Sequence, residues 1–343
     1  ASAITATGTS INGNVIPYED LEYSWDFGDP SGTEIFTNPV TNASVNVNTQ
    51  TGPEAVYCYR TTGTKTITLN IRGKYYGSYR TASTSTTFNV VDPGWTNYYF
   101  DSNAGSDGDG SIGSPWNNPV HLLWQAGVFQ GGGINVYCKR GSYVACGGTS
   151  IIRPYFSGLR VYDYGSGAKP IFDCTMAPSN LNLGSYPGLI QCGPKNGAGS
   201  NGDFVFSNID LRRTDGGINL ISIDCQNTYP QVCSDIYFDN CDLSPTGAYI
   251  VGSQSQANYS VTNMGFWGGS VTYNPNVDGD NFHGAIEQLF FMYGLQFFNN
   301  TSVTAPFTTL THTIYYTMQV HSVWKYNKFA PTSLQNHLKL SCN

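Results

Sequence analysis

The run NVDGDNFHGAIEQ holds the densest set of side chains able to do acid–base chemistry: Asp278, Asp280, His283 and Glu287. Two carboxylates set close together can act as acid and base on a glycosidic bond, or hold calcium beside an acidic sugar. The plainer reading is a polar loop between strands, because a short motif without its structural context carries little weight. His312, His321 and His337 recur along the last runs of the chain and could line one groove. Histidines on a solvated β face give the same pattern.

Other carboxylates offer oxygen ligands. Asp26 and Asp29 could coordinate calcium, as could Asp107 and Asp109 with their neighbours Asp101 and Asn103. Their spacing is a poor match to a regular calcium loop, and Asp in such places commonly hydrogen-bonds its own turn. No motif requires a cofactor, and calcium is the one these residues would suit. No CxxC pair appears, so zinc has no support.

Nine cysteines point to an oxidising compartment, and hence to a secreted or cell-surface chain. Cys138 with Cys146, and Cys225 with Cys233, flank short loops and are the first disulfides expected; Cys174 with Cys192 is a third. Cys58, Cys241 and Cys342 remain, and the odd number leaves one thiol either buried or linking two chains. Asn42, Asn258, Asn299 and Asn300 head sequons that could carry glycans.

The surface that displays these groups is neutral and aromatic. Charged residues make up 11% of the chain, against ~25% in an ordinary soluble protein, and Tyr alone numbers 24. Aromatic faces of this kind stack on sugars or anchor protein interfaces. A net charge of -7 excludes the basic footprint that nucleic acid demands. No apolar run reaches the ~18 residues of a membrane helix; the nearest, Ile286 to Phe298, is broken by Glu287, Gln288, Gly294 and Gln296. The start at Ala1 is expected to be a processed or trimmed N-terminus.

Two units must position these residues. Residues 1–92 alternate in β-rich runs, Ile4 to Ile11, Glu22 to Phe27, Ala43 to Val47, Ala55 to Tyr59, Lys65 to Ile71 and Thr81 to Val91. Such spacing with no helix between reads as a small antiparallel sandwich. A short linker, 93–96, is stiffened by Pro93. Residues 97–343 open with a brief helical pattern from Pro119, with Val120, Leu123 and Trp124 on one face. After it come only short strands, among them DFVFSNIDL, SDIYFDNCDL and QLFFMYGLQFFNN, repeating at very roughly 20 to 30 residues. Asn and Asp at the bends suit left-handed backbone angles and can stack into hydrogen-bonded ladders. Leu338 to Leu340 is still strand-like with no polar cap after it, an edge that invites a partner.

The motifs LEYSWDFGDPSG and AVYCYRTTGTKTITLNI resemble the PKD domain, an Ig-like extracellular module. The likeness makes Trp25 the core aromatic, Asp26 to Asp29 a tight turn and Gly63 a corner; Lys65 stands where the family more often has an aromatic residue. DSNAGSDGDGSIGSPW, HLLWQA, CKRGSYVA and YGSGAKPIFD look like the opening of right-handed parallel β-helix proteins of the pectate-lyase-like superfamily. The expected fold is therefore all-β: an Ig-like sandwich, then a single-stranded right-handed parallel β-helix whose short helix caps the first coil. The ending SVWKYNKFAPTSLQNHLKLS resembles bacterial secreted PKD/β-helix proteins of mostly unassigned function. Asn276, Asp278 and Gly279 faintly resemble the Asn-x-Asp-Gly signature of polygalacturonases, whose paired Asp, Gly-His-Gly and Arg-x-Lys are absent. Polysaccharide lyases of this fold need an Arg or Lys base, for which Lys325, Lys328 and Lys339 are the candidates.

These readings favour an extracellular structural or fibre-forming subunit that meets itself and carbohydrate. The alternatives are a lyase or hydrolase acting on acidic polysaccharide, and a carbohydrate-binding adhesin. One fold hosts all three.

Overall fold

The computed structural model describes residues 10–11, 14–15, 20–30, 35–37, 44–46, 48–55, 57, 59, 61–122, 132–147, 152, 157–176, 189–192, 201–213, 219–223, 232–245, 249–253, 260–273, 287–298, 301–304, 314–320, 323–325, 328–329 and 338–341. The named elements among these residues are strands, with a 3₁₀ turn at Pro119–His121. None of their helical structure is long and apolar enough to cross a membrane. The chain divides into two compact units, Ala1–Gly94 and Trp95–Asn343.

The first unit is built on an antiparallel sheet in the order Thr49–Thr51, Leu21–Asp26, Gly63–Tyr75, Ser78–Val90. Along Leu21–Asp26 burial alternates residue by residue, as a strand with one face in a core must. Leu21, Tyr23, Trp25 and Phe27 meet Ile67 and Leu69 from the central strand. Each such side chain contributes about 1.5–3 kcal/mol of burial. The Trp25 indole N–H donates to the Gly52 carbonyl at 2.8 Å, so the ring is buried with its polar edge satisfied. Ala55, Tyr57 and Tyr59, expected as a strand, lie outside the named strands and pack against this core from its side.

The expected tight turn follows Leu21–Asp26. The Gly28 N–H donates to Asp26 Oδ1 at 2.8 Å, and Gly28 takes φ +62° with the Thr66 carbonyl 2.3 Å from where a Cβ would stand. Only glycine fits there. At the other end, Tyr76 and Gly77 both have positive φ and join the two long strands as a tight primed hairpin.

The second unit is a curled parallel sheet. Thr96–Phe100, Ile134–Lys139 and Leu159–Tyr164 are successive rungs of a first ladder, Tyr143–Gly147 and Ile171–Met176 of a second, and Ile190–Cys192 belongs to a third; the chain then returns to the first at Asn201–Ser207. Register is kept from visit to visit. Val136, Val161, Phe206, Phe238, Phe266 and Phe297 form one row, and Val144, Phe172, Leu211, Leu243 and Val271 another. The rings of Phe206, Phe238 and Phe266 stack face to face with centroids 5.2 Å apart at each step.

The bends carry the expected left-handed residues. Asp203, Asp235 and Asn263 have φ of 59°, 55° and 55°, and Asn208 and Asn240 have 56° and 49°. Asn263 Nδ2 donates to Asp235 Oδ1 at 3.1 Å, Asn240 to Asn208 at 2.7 Å, and Asn208 to Asp163 at 2.8 Å. These links span 28, 32 and 45 residues. Most steps keep close to the expected spacing of very roughly 20 to 30 residues, as from Ile134 to Leu159 and from Ile314 to Leu338, while longer connections stretch a few, as from Leu159 to Phe204.

Where a short capping helix is expected, the described residues hold a three-residue 3₁₀ turn, Pro119–His121, in which the Asn118 side chain accepts from the Val120 N–H; Val120 is exposed there, while Leu122 after it is fully buried. Leu123 and Trp124 lie outside the described residues.

Candidate functional site

Asp278, Asp280, His283, His312, His321 and His337 lie outside the described residues, as do Asn42, Asn258, Asn299, Asn300 and Cys225. Glu287 opens the Glu287–Phe298 strand, where its backbone faces Val251. Lys325, Lys328 and Lys339 are likewise placed by backbone pairing, opposite Phe298, Thr301 and Tyr315.

Cys138 corrects one expected disulfide. It is a buried free thiol, not a partner of Cys146. Position 138 has the inward parity of Ile134 and Val136, which commits its sulfur to the core; burial pushes the thiol far above its ordinary pKa. Cys241 is a second buried free thiol, pushed up to about 12 mainly by burial. Cys146, Cys174, Cys192 and Cys233 sit in strands, and their side chains lie outside the described set.

The carboxylates considered for calcium have partners of another kind. Asp26 Oδ1 accepts from Gly28 N and from Asn48 Nδ2 at 3.2 Å. Asp109 accepts from Ser111 N at 2.9 Å, which holds its pKa below the usual carboxylate value. Asp107 Oδ2 lies 2.7 Å from His121 Nε2, while Oδ1 accepts from the backbone of Asn117 and Asn118 at 3.0 and 3.2 Å. The His121 contact first, then those amides, depress the Asp107 pKa. The imidazole in turn stacks on Trp116, so this set closes the loop after Phe100. Asp101 accepts from Lys139 Nζ at 2.6 Å. Among the described residues no three His, Cys, Asp or Glu side chains gather as a metal would require.

Asp29 has the most unusual surroundings. Its carboxylate is buried beside Lys65, whose Nζ lies 2.7 Å from Oδ1. Tyr59, under that ammonium, donates to the Phe27 carbonyl at 2.7 Å and is pushed up to about 12 by burial and by the Asp29 charge. The departure of Lys65 from the aromatic pattern was the one sequence signal of this site.

On the outer face of the second unit, sequence reasoning missed a second cluster. Tyr143 OH donates to Asp173 Oδ2 at 2.8 Å, and the Asp173 backbone faces Arg212 in the next ladder step. Arg212 is clamped by Asp210 at 2.5–3.0 Å, which raises its pKa. Lys169 and Asp242 pair at 2.9 Å one step on. Such a row could orient an acidic sugar, but its guanidinium and ammonium already face carboxylates.

The tyrosines form a third feature. Tyr99, Tyr137 and Tyr162 stack at 5.0 and 5.5 Å along one outer row. Their faces pack on each other. No protein-family model, curated protein or solved structure matches the chain.

Proposed function

We propose that the chain is an extracellular structural protein, a surface or fibre-forming subunit with carbohydrate contact. In this reading Ala1–Gly94 is an Ig-like sandwich of the PKD type and Trp95–Asn343 a right-handed parallel β-helix, the hand that nearly all parallel crossovers take. The observation that carries it is the stacking of like on like, phenylalanine on phenylalanine and asparagine on asparagine, through successive returns of the chain. Coils matched in this way make a stiff rod with repeating faces, which suits lateral and end-to-end association.

Charge pairing supports the same reading. In the second unit every described Lys or Arg side chain, Lys139, Arg140, Arg160, Lys169 and Arg212, faces an aspartate. Electron microscopy of the native-source protein, with sedimentation over a range of concentrations, tests it. Ordered filaments or lateral arrays are expected, and monomers at every concentration would overturn the proposal.

Cleavage of acidic polysaccharide is the second reading, favoured by Tyr143, Asp173 and Arg212. Its assay is release of unsaturated or reducing sugars from polygalacturonate and alginate. Release by the wild type that is lost in Asp173→Asn or Asp280→Asn would put an enzyme in place of the structural subunit.

A further inference from the structure

Neither the fold nor the proposed function accounts for the contact between Lys65 and Asp29. The turn after Leu21–Asp26 delivers Asp29, and the antiparallel pairing of that strand with Gly63–Tyr75 delivers Lys65. Their side chains are 1% and 8% exposed, and the aromatic rings of Phe27, Tyr57 and Tyr59 pack around them. A buried ion pair of this kind gains little over an apolar pair, because both charges have lost their water.

Two hydroxyls complete the arrangement. Thr61 Oγ1 accepts from Lys65 Nζ at 2.7 Å and donates to Asp29 Oδ1 at 3.4 Å, bridging nitrogen and oxygen. Tyr57 OH donates to the other oxygen, Oδ2, at 3.4 Å. Amine, carboxyl, proton relay and oxyanion donor therefore converge on one carboxylate carbon.

We propose that Lys65 and Asp29 condense into an intramolecular amide. Nζ attacks Cγ; the new N–C bond forms, the Cγ–Oδ1 bond breaks, and one water leaves. Of the three ammonium protons, one stays on the amide nitrogen and two depart with Oδ1, so no oxidant, reductant or other reactant is needed. Thr61 carries a proton from Nζ to the departing oxygen. Tyr57 steadies the charge on Oδ2, which becomes the amide oxygen. Exclusion of water and fixed contact drive the step, since well-oriented neighbours react with effective molarities of about 10⁵ M or more. The product ties together two points 36 residues apart in the chain.

The test is mass spectrometry of the reduced full-length chain with sequencing of its peptides. The expected result is a branched peptide joining Asp29 to Lys65, lighter than its two parts by one water. Lys65→Arg keeps the charge but is expected to abolish the branch, and Thr61→Val to leave a larger unlinked fraction in freshly made protein. Separate, unmodified Asp29 and Lys65 peptides from the wild type would overturn the proposal. So would the same water loss in Lys65→Arg.

Discussion

Asn240 donates to Asn208 across one full return of the chain, and both residues hold left-handed backbone angles. The ladder does two jobs: it turns the strand, and it fixes the distance between coils. The jobs can be separated. Asn240→Gly keeps the angle and loses the hydrogen bond, a cost of about 0.5–1.5 kcal/mol. Asn240→Ala loses both, and the left-handed angle adds about 1–2 kcal/mol. Urea unfolding should rank wild type above Gly above Ala; equal stability of the two variants would mean that the backbone angle carries no cost.

Phe238 stands between Phe206 and Phe266 and makes both stacking contacts. Phe238→Ala is expected to destabilise the second unit by about 3–5 kcal/mol. Phe238→Leu should cost clearly less, because it fills most of the volume. Thermal unfolding of both variants checks the order.

The Asp107 contact predicts a pH dependence. A carboxylate whose folded pKa is depressed contributes above its unfolded value of about 4, and the contribution fades as pH falls through the lower folded value. The amide shifts of Asn117 and Asn118 should therefore titrate together, with a midpoint below that ordinary value. A midpoint at or above it would show that His121 and the two amides do not hold the charge.

Cys138 and Cys241 are expected to resist an aromatic disulfide reagent in the folded protein and to react only on unfolding. Their burial disfavours the thiolate that such a reagent needs. Prompt labelling of either residue under native conditions would contradict the inward placement.

Much of the local structure was legible in the sequence. The alternation in LEYSWD gave the buried face of Leu21–Asp26, and Asn and Asp at the bends announced the left-handed ladders, because both signals depend only on near neighbours. Long-range relations were not. Lys65 looked like a departure from an aromatic pattern, and its partner Asp29 becomes visible only when two antiparallel strands are laid side by side. Cys138 and Cys146 looked paired because they are close in sequence, yet strand parity points the first sulfur into the core. The Tyr143, Asp173 and Arg212 cluster joins three strands of different ladder steps, with no motif to mark it.

The unequal intervals between ladder steps imply two very different tolerances to change in length. Between strands, connections already vary enough to separate linked residues by 28 to 45 positions, so insertions there need not disturb the stack. Inside a strand such as Leu159–Tyr164, one added residue would turn Val161 outward and Arg160 inward, and the error would carry to the next bend. Evolution can therefore rewrite the rims of this molecule freely while its ladders accept changes only in pairs.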